Sequence, residues 1–121
     1  AGRIAREAEQ IVADAIALEQ AGAVLLLIEA VPPEVTERVL RETSVPLIGI
    51  GAGPACHGQI LVVQDLLGMT DAPPRFAERS ASLGIEYQKA AADWVKRVSH
   101  RDIGGKGYSM RDGEVDRFYS Q

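Results

Sequence analysis

Three features of the sequence predict an α/β fold built on a parallel sheet. Amphipathic helical stretches alternate with short apolar runs, those runs are apolar on both faces rather than every second residue, and proline or glycine punctuates the joins. Over 3–20, Ile4, Ala8, Ile11, Val12, Ala15, Ile16 and Leu18 recur at helical spacing with Arg6, Glu9, Asp14 and Glu19 between them, which predicts an amphipathic helix stopped by Gly22. The run 23–28 (AVLLLI) then reads as a doubly buried strand closing on Glu29. Pro32 and Pro33 suit the first turn of a second helix, with Val35, Val39 and Leu40 on one side and Glu34, Glu37, Arg38 and Arg41 on the others. Residues 45–50 (VPLIGI) predict a second strand and 59–63 (QILVV) a third. After Pro73 and Pro74, Phe76, Leu83, Ile85, Tyr87, Ala90, Ala91, Trp94, Val95 and Val98 predict one or two helices broken near Gly84. From Asp102 the chain is glycine-rich and polar with scattered aromatics, as in a loop or docking extension, so the domain boundaries are 1–101 and 102–121.

Composition narrows the function classes. With 46% hydrophobic and 25% charged residues, the 121-residue chain has the material for one ordinary core. Its net charge of -4, with no cluster of Lys and Arg among aromatics, gives no field for a phosphate backbone, so no nucleic-acid partner is expected. The longest apolar run, Ala21 to Val31, is interrupted by Gly22 and Glu29 and is too short to cross a bilayer, and the N-terminus carries no signal-peptide pattern; a cytoplasmic protein without a membrane partner is expected. The single cysteine, Cys56, allows no intrachain disulfide and no Cys-only metal cage. The start Ala1-Gly2-Arg3, already inside a charged helical pattern, reads as an interior position or a processed terminus.

Three buried strands are too few to close a barrel of eight βα units, which takes about 250 residues. Either the sheet belongs to a barrel whose other half lies outside the sequence, or it is a small layered sheet completed by a short strand from the tail. The glycine loop between the second and third strands fits neither common phosphate signature. From Gly49 or from Gly51 the third glycine of the dinucleotide fingerprint falls on Pro54 or Cys56, and Gly53 to Gly58 is followed by Gln59-Ile60 instead of Lys and a hydroxyl residue. Its glycines permit positive φ and close approach at a strand end. Cys56 and His57, adjacent in a loop, read as ordinary packing rather than a metal or nucleophile pair.

The blocks "ALEQAGAVLLLIEAVP" (Ala17 to Pro32), "VPLIGIGAG" (Val45 to Gly53) and "GQILVVQDLLGM" (Gly58 to Met69), with the region 73–77, resemble the C-terminal half of the ketopantoate hydroxymethyltransferase family over most of 11–98, and poorly from Arg101 onward. The resemblance implies a (β/α)8 TIM barrel of the phosphoenolpyruvate/pyruvate-binding superfamily, of which this chain supplies the fifth helix and strands six to eight with their helices. It implies hydroxymethyl transfer from 5,10-methylenetetrahydrofolate to 3-methyl-2-oxobutanoate, giving 2-dehydropantoate in pantothenate synthesis. Glu29 falls on the family's catalytic glutamate, the general base. A carboxylate directly after a buried parallel strand also sits at the mouth where βα loops build active sites, and partial desolvation there raises the pKa of such a group. Gly49, Gly51 and Gly53 are expected to form a floor near keto acid or folate. Ala30 stands where many members have cysteine, and His57 where aspartate often precedes Gly-Gln.

In the family, magnesium is held by two aspartates and a glutamate of the N-terminal half, which also supplies a substrate-binding serine, lysine and histidine. None of these carries over, so Mg2+ ligands are expected outside this chain. Asp65 and Asp71 are expected to cap or solvate helices. The N-terminal half of the barrel is the expected partner, and the unpaired apolar edges of an open barrel imply a homo-oligomer. Two alternatives stand beside this reading: a non-catalytic half-barrel assembly module, and a related barrel lyase acting on a pyruvate-like acid.

Overall fold

A computed structural model describes residues 1–121, which pack as two compact units, Ala1–Glu86 and Tyr87–Gln121. In the first unit, α1 (Ala5–Gln20) leads to β1 (Leu26–Glu29), α2 (Pro33–Glu42), β2 (Leu47–Ile50), β3 (Gly58–Gln59) and the single turn α3 (Val63–Leu66). The end of α1 is a complete Schellman motif. Gly22, at φ 103°, donates its N–H to the Glu19 carbonyl, and Ala23 donates to that of Leu18, 3.0 Å each. This satisfies carbonyls that the helix cannot use and reverses the chain into β1. Pro32 and Pro33 open α2, where a missing N–H costs nothing.

The sheet is parallel in the order β1-β2-β3, and Leu26, Leu27, Ile28 and Glu29 lie opposite Leu47, Ile48, Gly49 and Ile50. Side chains alternate across it. Leu26, Ile28 and Leu47 face Val12 and Ala15 of α1 and Val35 and Val39 of α2 to form the core, while Leu27 and Glu29 project from the other face and remain exposed. Helices on one face of a parallel sheet are the layering of a partial barrel. The sheet's entry end is fixed by Glu19, whose carboxylate accepts from the Ser44 hydroxyl (2.7 Å) and backbone N–H (2.9 Å).

The third strand is shorter than the apolar run 59–63 suggests. Its last ladder bond, Ile60 N–H to the Gly49 carbonyl (3.0 Å), falls just before β2 ends and Gly51 turns at φ 62°. Beyond that point β3 has nothing to pair with, and Val63 begins α3. Phe76 is not helical: Pro74 opens a turn closed by the Ala77 N–H to its carbonyl, 2.9 Å. The break expected near Gly84 is instead a helix start, because α4 runs unbroken from Leu83 to Ser99.

The second unit comprises the remainder of α4 and α5 (Glu114–Tyr119), a short helix within the tail read as loop or extension, opened by Gly113 at φ 81°. Here the Arg97 guanidinium lies 5.6 Å from the Trp94 ring centre and its Nε donates to the Asp102 carbonyl (3.0 Å). No helix is long and apolar enough to cross a membrane.

One buried polar contact ties α2 to the loop after β2: Thr36, fully enclosed, donates its hydroxyl to the Ala52 carbonyl at 2.7 Å. Thr36→Val keeps the shape and leaves that carbonyl unpaired. It is expected to destabilise the intact protein by about 1–3 kcal/mol, read as a lower urea midpoint with an unchanged slope.

Candidate functional site

Parallel strands bring their C-terminal ends to one rim, and Glu29 and Ile50 are the last residues of β1 and β2 there. Glu29 has no hydrogen-bond or ion-pair partner within the chain, and it is exposed, so the desolvation expected at a barrel mouth is not supplied by this chain's own residues. Its direction is nonetheless constrained. Ala30 donates its N–H to the Ile50 carbonyl (2.9 Å) and adopts φ 53°, a left-handed conformation that costs a side-chain-bearing residue about 1–3 kcal/mol. Buried Val31 follows and anchors the turn into Pro32. The candidate base is thus held between the last ladder bond and a strained turn.

The glycine loop has specific packing duties. A Cβ on Gly49 would lie 2.5 Å from Cys56 Sγ, one on Gly51 would enter the Phe76 ring, and one on Gly53 would lie 2.9 Å from the Pro33 ring. Gly51 (φ 62°) and Gly53 (φ 81°) also require positive φ. Buried Ala52 sits between them, and Gln59 Nε2 donates to the Gly53 carbonyl at 2.9 Å. Gly51 and Gly53 border an open hollow of about 520 Å³, whereas Gly49 faces Cys56 instead.

Cys56 and His57 diverge. The Cys56 sulfur packs on Gly49, and burial pushes its thiol up from the ordinary value, against the opposing effect of a backbone hydrogen bond. His57 Nδ1 accepts the Leu47 N–H at 3.0 Å while the His57 backbone N–H donates to the Leu47 carbonyl at 2.9 Å. The imidazole therefore holds the β2–β3 pair at its start. Asp65, expected to cap or solvate a helix, is instead buried in the first turn of α3, whose N-cap is Val62; Asp71 is exposed in a turn. No three His, Cys, Asp or Glu side chains converge in a way that would hold a metal ion.

The structure also gathers residues that the sequence reading left out. Arg3, Arg75 and Phe76 line a cleft of about 550 Å³ together with Ala30 and Gly51, directly beside the turn that follows Glu29. Buried Gly2 lies against Ile11, Val35 and Pro32 and so fixes the start of the chain at Arg3, and the fit of Phe76 onto Gly51 brings Arg75 to the same cleft. A bare glycine beneath an aromatic ring is the only local signal of this, and it is visible only once the two are known to touch.

The sequence model of the ketopantoate hydroxymethyltransferase family matches residues 1–105. Among curated proteins, the 3-methyl-2-oxobutanoate hydroxymethyltransferase of Hyperthermus butylicus is 38% identical over 119 residues, covering 97% of this chain and 41% of that protein. That of Clostridium beijerinckii is 36% identical over 121 residues, covering 98% of this chain and 44% of the relative. That of Sodalis glossinidius is 50% identical over 98 residues, covering 80% and 37%. The chain therefore spans about two-fifths of the length of these relatives.

Two expectations follow from this geometry. Gly51→Ala forces a Cβ into Phe76 at positive φ and is expected to lower stability by roughly 2–4 kcal/mol, measured by urea unfolding of the intact protein. Because the raised Cys56 pKa keeps the thiol protonated, its alkylation by iodoacetamide should be slower than that of free cysteine at pH 8. The midpoint of its pH–rate profile should lie above that of the free thiol.

Proposed function

The chain belongs to the ketopantoate hydroxymethyltransferase family, and we propose that it supplies the catalytic glutamate and part of the active-site rim of a 3-methyl-2-oxobutanoate hydroxymethyltransferase acting in pantothenate synthesis. The observation that carries this reading is the position of Glu29: the last residue of a parallel strand, exposed on the face opposite the helices and set by the Ala30 turn. That rim is where barrel enzymes build their sites.

In this reading Glu29 accepts the C3 proton of the keto acid, and the electron pair of the broken C–H bond enters the adjacent carbonyl as an enolate. The enolate carbon then bonds to the methylene carbon of 5,10-methylenetetrahydrofolate as one of that carbon's two C–N bonds breaks, its electron pair passing to the nitrogen, which takes up the proton held by Glu29. Water then adds its oxygen to the methylene carbon as the second C–N bond breaks, the proton lost from water going to that nitrogen, so tetrahydrofolate leaves and the hydroxymethyl group remains on C3 of 2-dehydropantoate. Gly51 and Gly53 form the floor beneath the reacting molecules, and Gly49 supports it from behind by admitting Cys56. Enclosure of the rim by the rest of the protein supplies the desolvation that a general base uses.

The residues of this chain do not form a cage for the magnesium ion that the resemblance implies, so its ligands are assigned to the part of the protein outside this chain. That part is also the partner expected along β1. Leu26 and Ala30 direct their N–H groups to β2, so the amides of Leu27 and Glu29 face the outer edge, where a further strand would pair. Leu25 and Leu27, half-exposed on the face opposite the helices, fit the same covering by the barrel's other half. A homo-oligomer of completed barrels in the cytoplasm is the assembly that suits this reading.

Glu29→Gln in the intact protein is expected to reduce exchange of the C3 proton of 3-methyl-2-oxobutanoate with deuterated water by about 10²–10⁴-fold, with an unchanged circular dichroism spectrum. Exchange within a few-fold of the unsubstituted protein would remove Glu29 from the mechanism.

A further inference from the structure

The cleft beside the Glu29 turn has a chemical character of its own. Arg38, Arg97 and Arg117 each rest on an acid of their own helix, at 3.1, 3.9 and 3.1 Å, whereas Arg6, Arg41, Arg79, Arg101 and Arg111, and with them Arg3 and Arg75, form no salt bridge within this chain. Arg3 and Arg75 both line the one cleft of about 550 Å³, together with Phe76, Pro74 and Val31. Two unpaired guanidiniums at an apolar, aromatic-walled cleft select for an anion joined to a planar or apolar body, since guanidinium recognises carboxylate through paired N–H donors and an aromatic face accepts a flat group. The volume falls within the roughly 300–1,000 Å³ of sites for ligands of drug size, and a small keto acid fills little of it. Ala30 belongs both to this cleft and to the turn that sets Glu29, so a ligand lying here ends beside the base.

We propose that the cleft between Arg3 and Arg75 is the subsite for the carboxylate end of the one-carbon donor, an elongated aromatic dicarboxylate. This rests on the reading of Glu29 given above. The arginines hold the charged tail away from the Glu29 carboxylate, which would otherwise repel it, and Phe76 contacts the flat part of the molecule. Neither arginine takes part in proton transfer. Both are exposed on this chain and outside its core, and an unchanged circular dichroism spectrum of each variant checks that the fold is kept.

The test uses the intact enzyme and its variants Arg75→Ala, Arg3→Ala and the double variant, with Arg75→Lys as the charge-conserving control. Tetrahydrofolate, which lacks the methylene group and does not turn over, is titrated calorimetrically at low and high salt. Each single alanine variant is expected to raise its Kd by about tenfold or more, the double variant further, and Arg75→Lys less. Added salt should weaken binding most in the unsubstituted enzyme. In steady-state assays the KM for 5,10-methylenetetrahydrofolate should rise in parallel, with the KM for 3-methyl-2-oxobutanoate holding within twofold. A double variant that binds tetrahydrofolate as the unsubstituted enzyme does, or a rise confined to the keto-acid KM, overturns the proposal. The underlying reading fails separately: an unsubstituted enzyme that does not exchange the C3 proton refutes the role of Glu29, whatever the titration shows.

Discussion

The parallel register of β1 on β2 is the constraint on which the rest of the first unit depends. Pairing Leu26 with Leu47 and Glu29 with Ile50 decides which side chains enter the core and which reach the rim, because a slip of one residue exchanges the faces of a whole strand. In such a slip Leu27 would enter the helix layer and Glu29 would follow it into an apolar core. The register is protected from both ends. Glu19 fastens Ser44 at the entry to β2, and the Ala30 N–H on the Ile50 carbonyl closes the ladder at its exit. Between these clamps Leu47 and Val39 are among the most enclosed side chains of the molecule, so packing and hydrogen bonding favour the same alignment.

A second layer of organisation lies in the loop after β2, where each contact suits the residue type that makes it. Thr36 reaches the Ala52 carbonyl from α2, Pro33 fills the space above Gly53, and Phe76 covers Gly51. Two stretches far apart in the sequence, the start of α2 and the segment around Phe76, thereby converge on one short turn. The cleft with the unpaired arginines is a by-product of that convergence: Arg75 arrives because Phe76 must lie on Gly51, and Arg3 because Gly2 is packed against Ile11 and Val35.

Much of this was legible in the sequence, for identifiable reasons. The helix at 3–20, the strand ending at Glu29, the proline-started helix and the strand ending at Ile50 each carry a periodic or continuous apolar pattern that their own burial requires. Glu29 could be placed at the strand's end because a charge closes the apolar run there, although the run is buried on one face only: Leu25 and Leu27 are exposed on this chain, where burial of both faces was expected. The third strand was overestimated, since 59–63 is apolar enough but its length is limited by where β2 turns away. Phe76 looked helical because its apolar character was read along the chain, whereas its partner is a glycine in another loop. The six-residue α5 buries nothing and left no pattern to read. His57 was read as loop packing, and its role in joining two strands through a ring nitrogen has no local signature. The arginine cleft was invisible for a related reason: its members share neither an element nor a period.

The left-handed turn at Ala30 also limits what sequence drift can do next to the proposed base. At φ 53° a branched β-carbon collides with the backbone and proline is barred outright, while glycine relieves the strain at the expense of rigidity. The Ala30 side chain faces solvent, so a survey of accessibility alone would call the position permissive. Its repertoire is instead narrowed to a few small or amide-bearing side chains by the handedness of the backbone. Invariance at such a position would record the shape the chain must take rather than any chemistry its side chain performs, and the reacting group would be the neighbour that this shape aims.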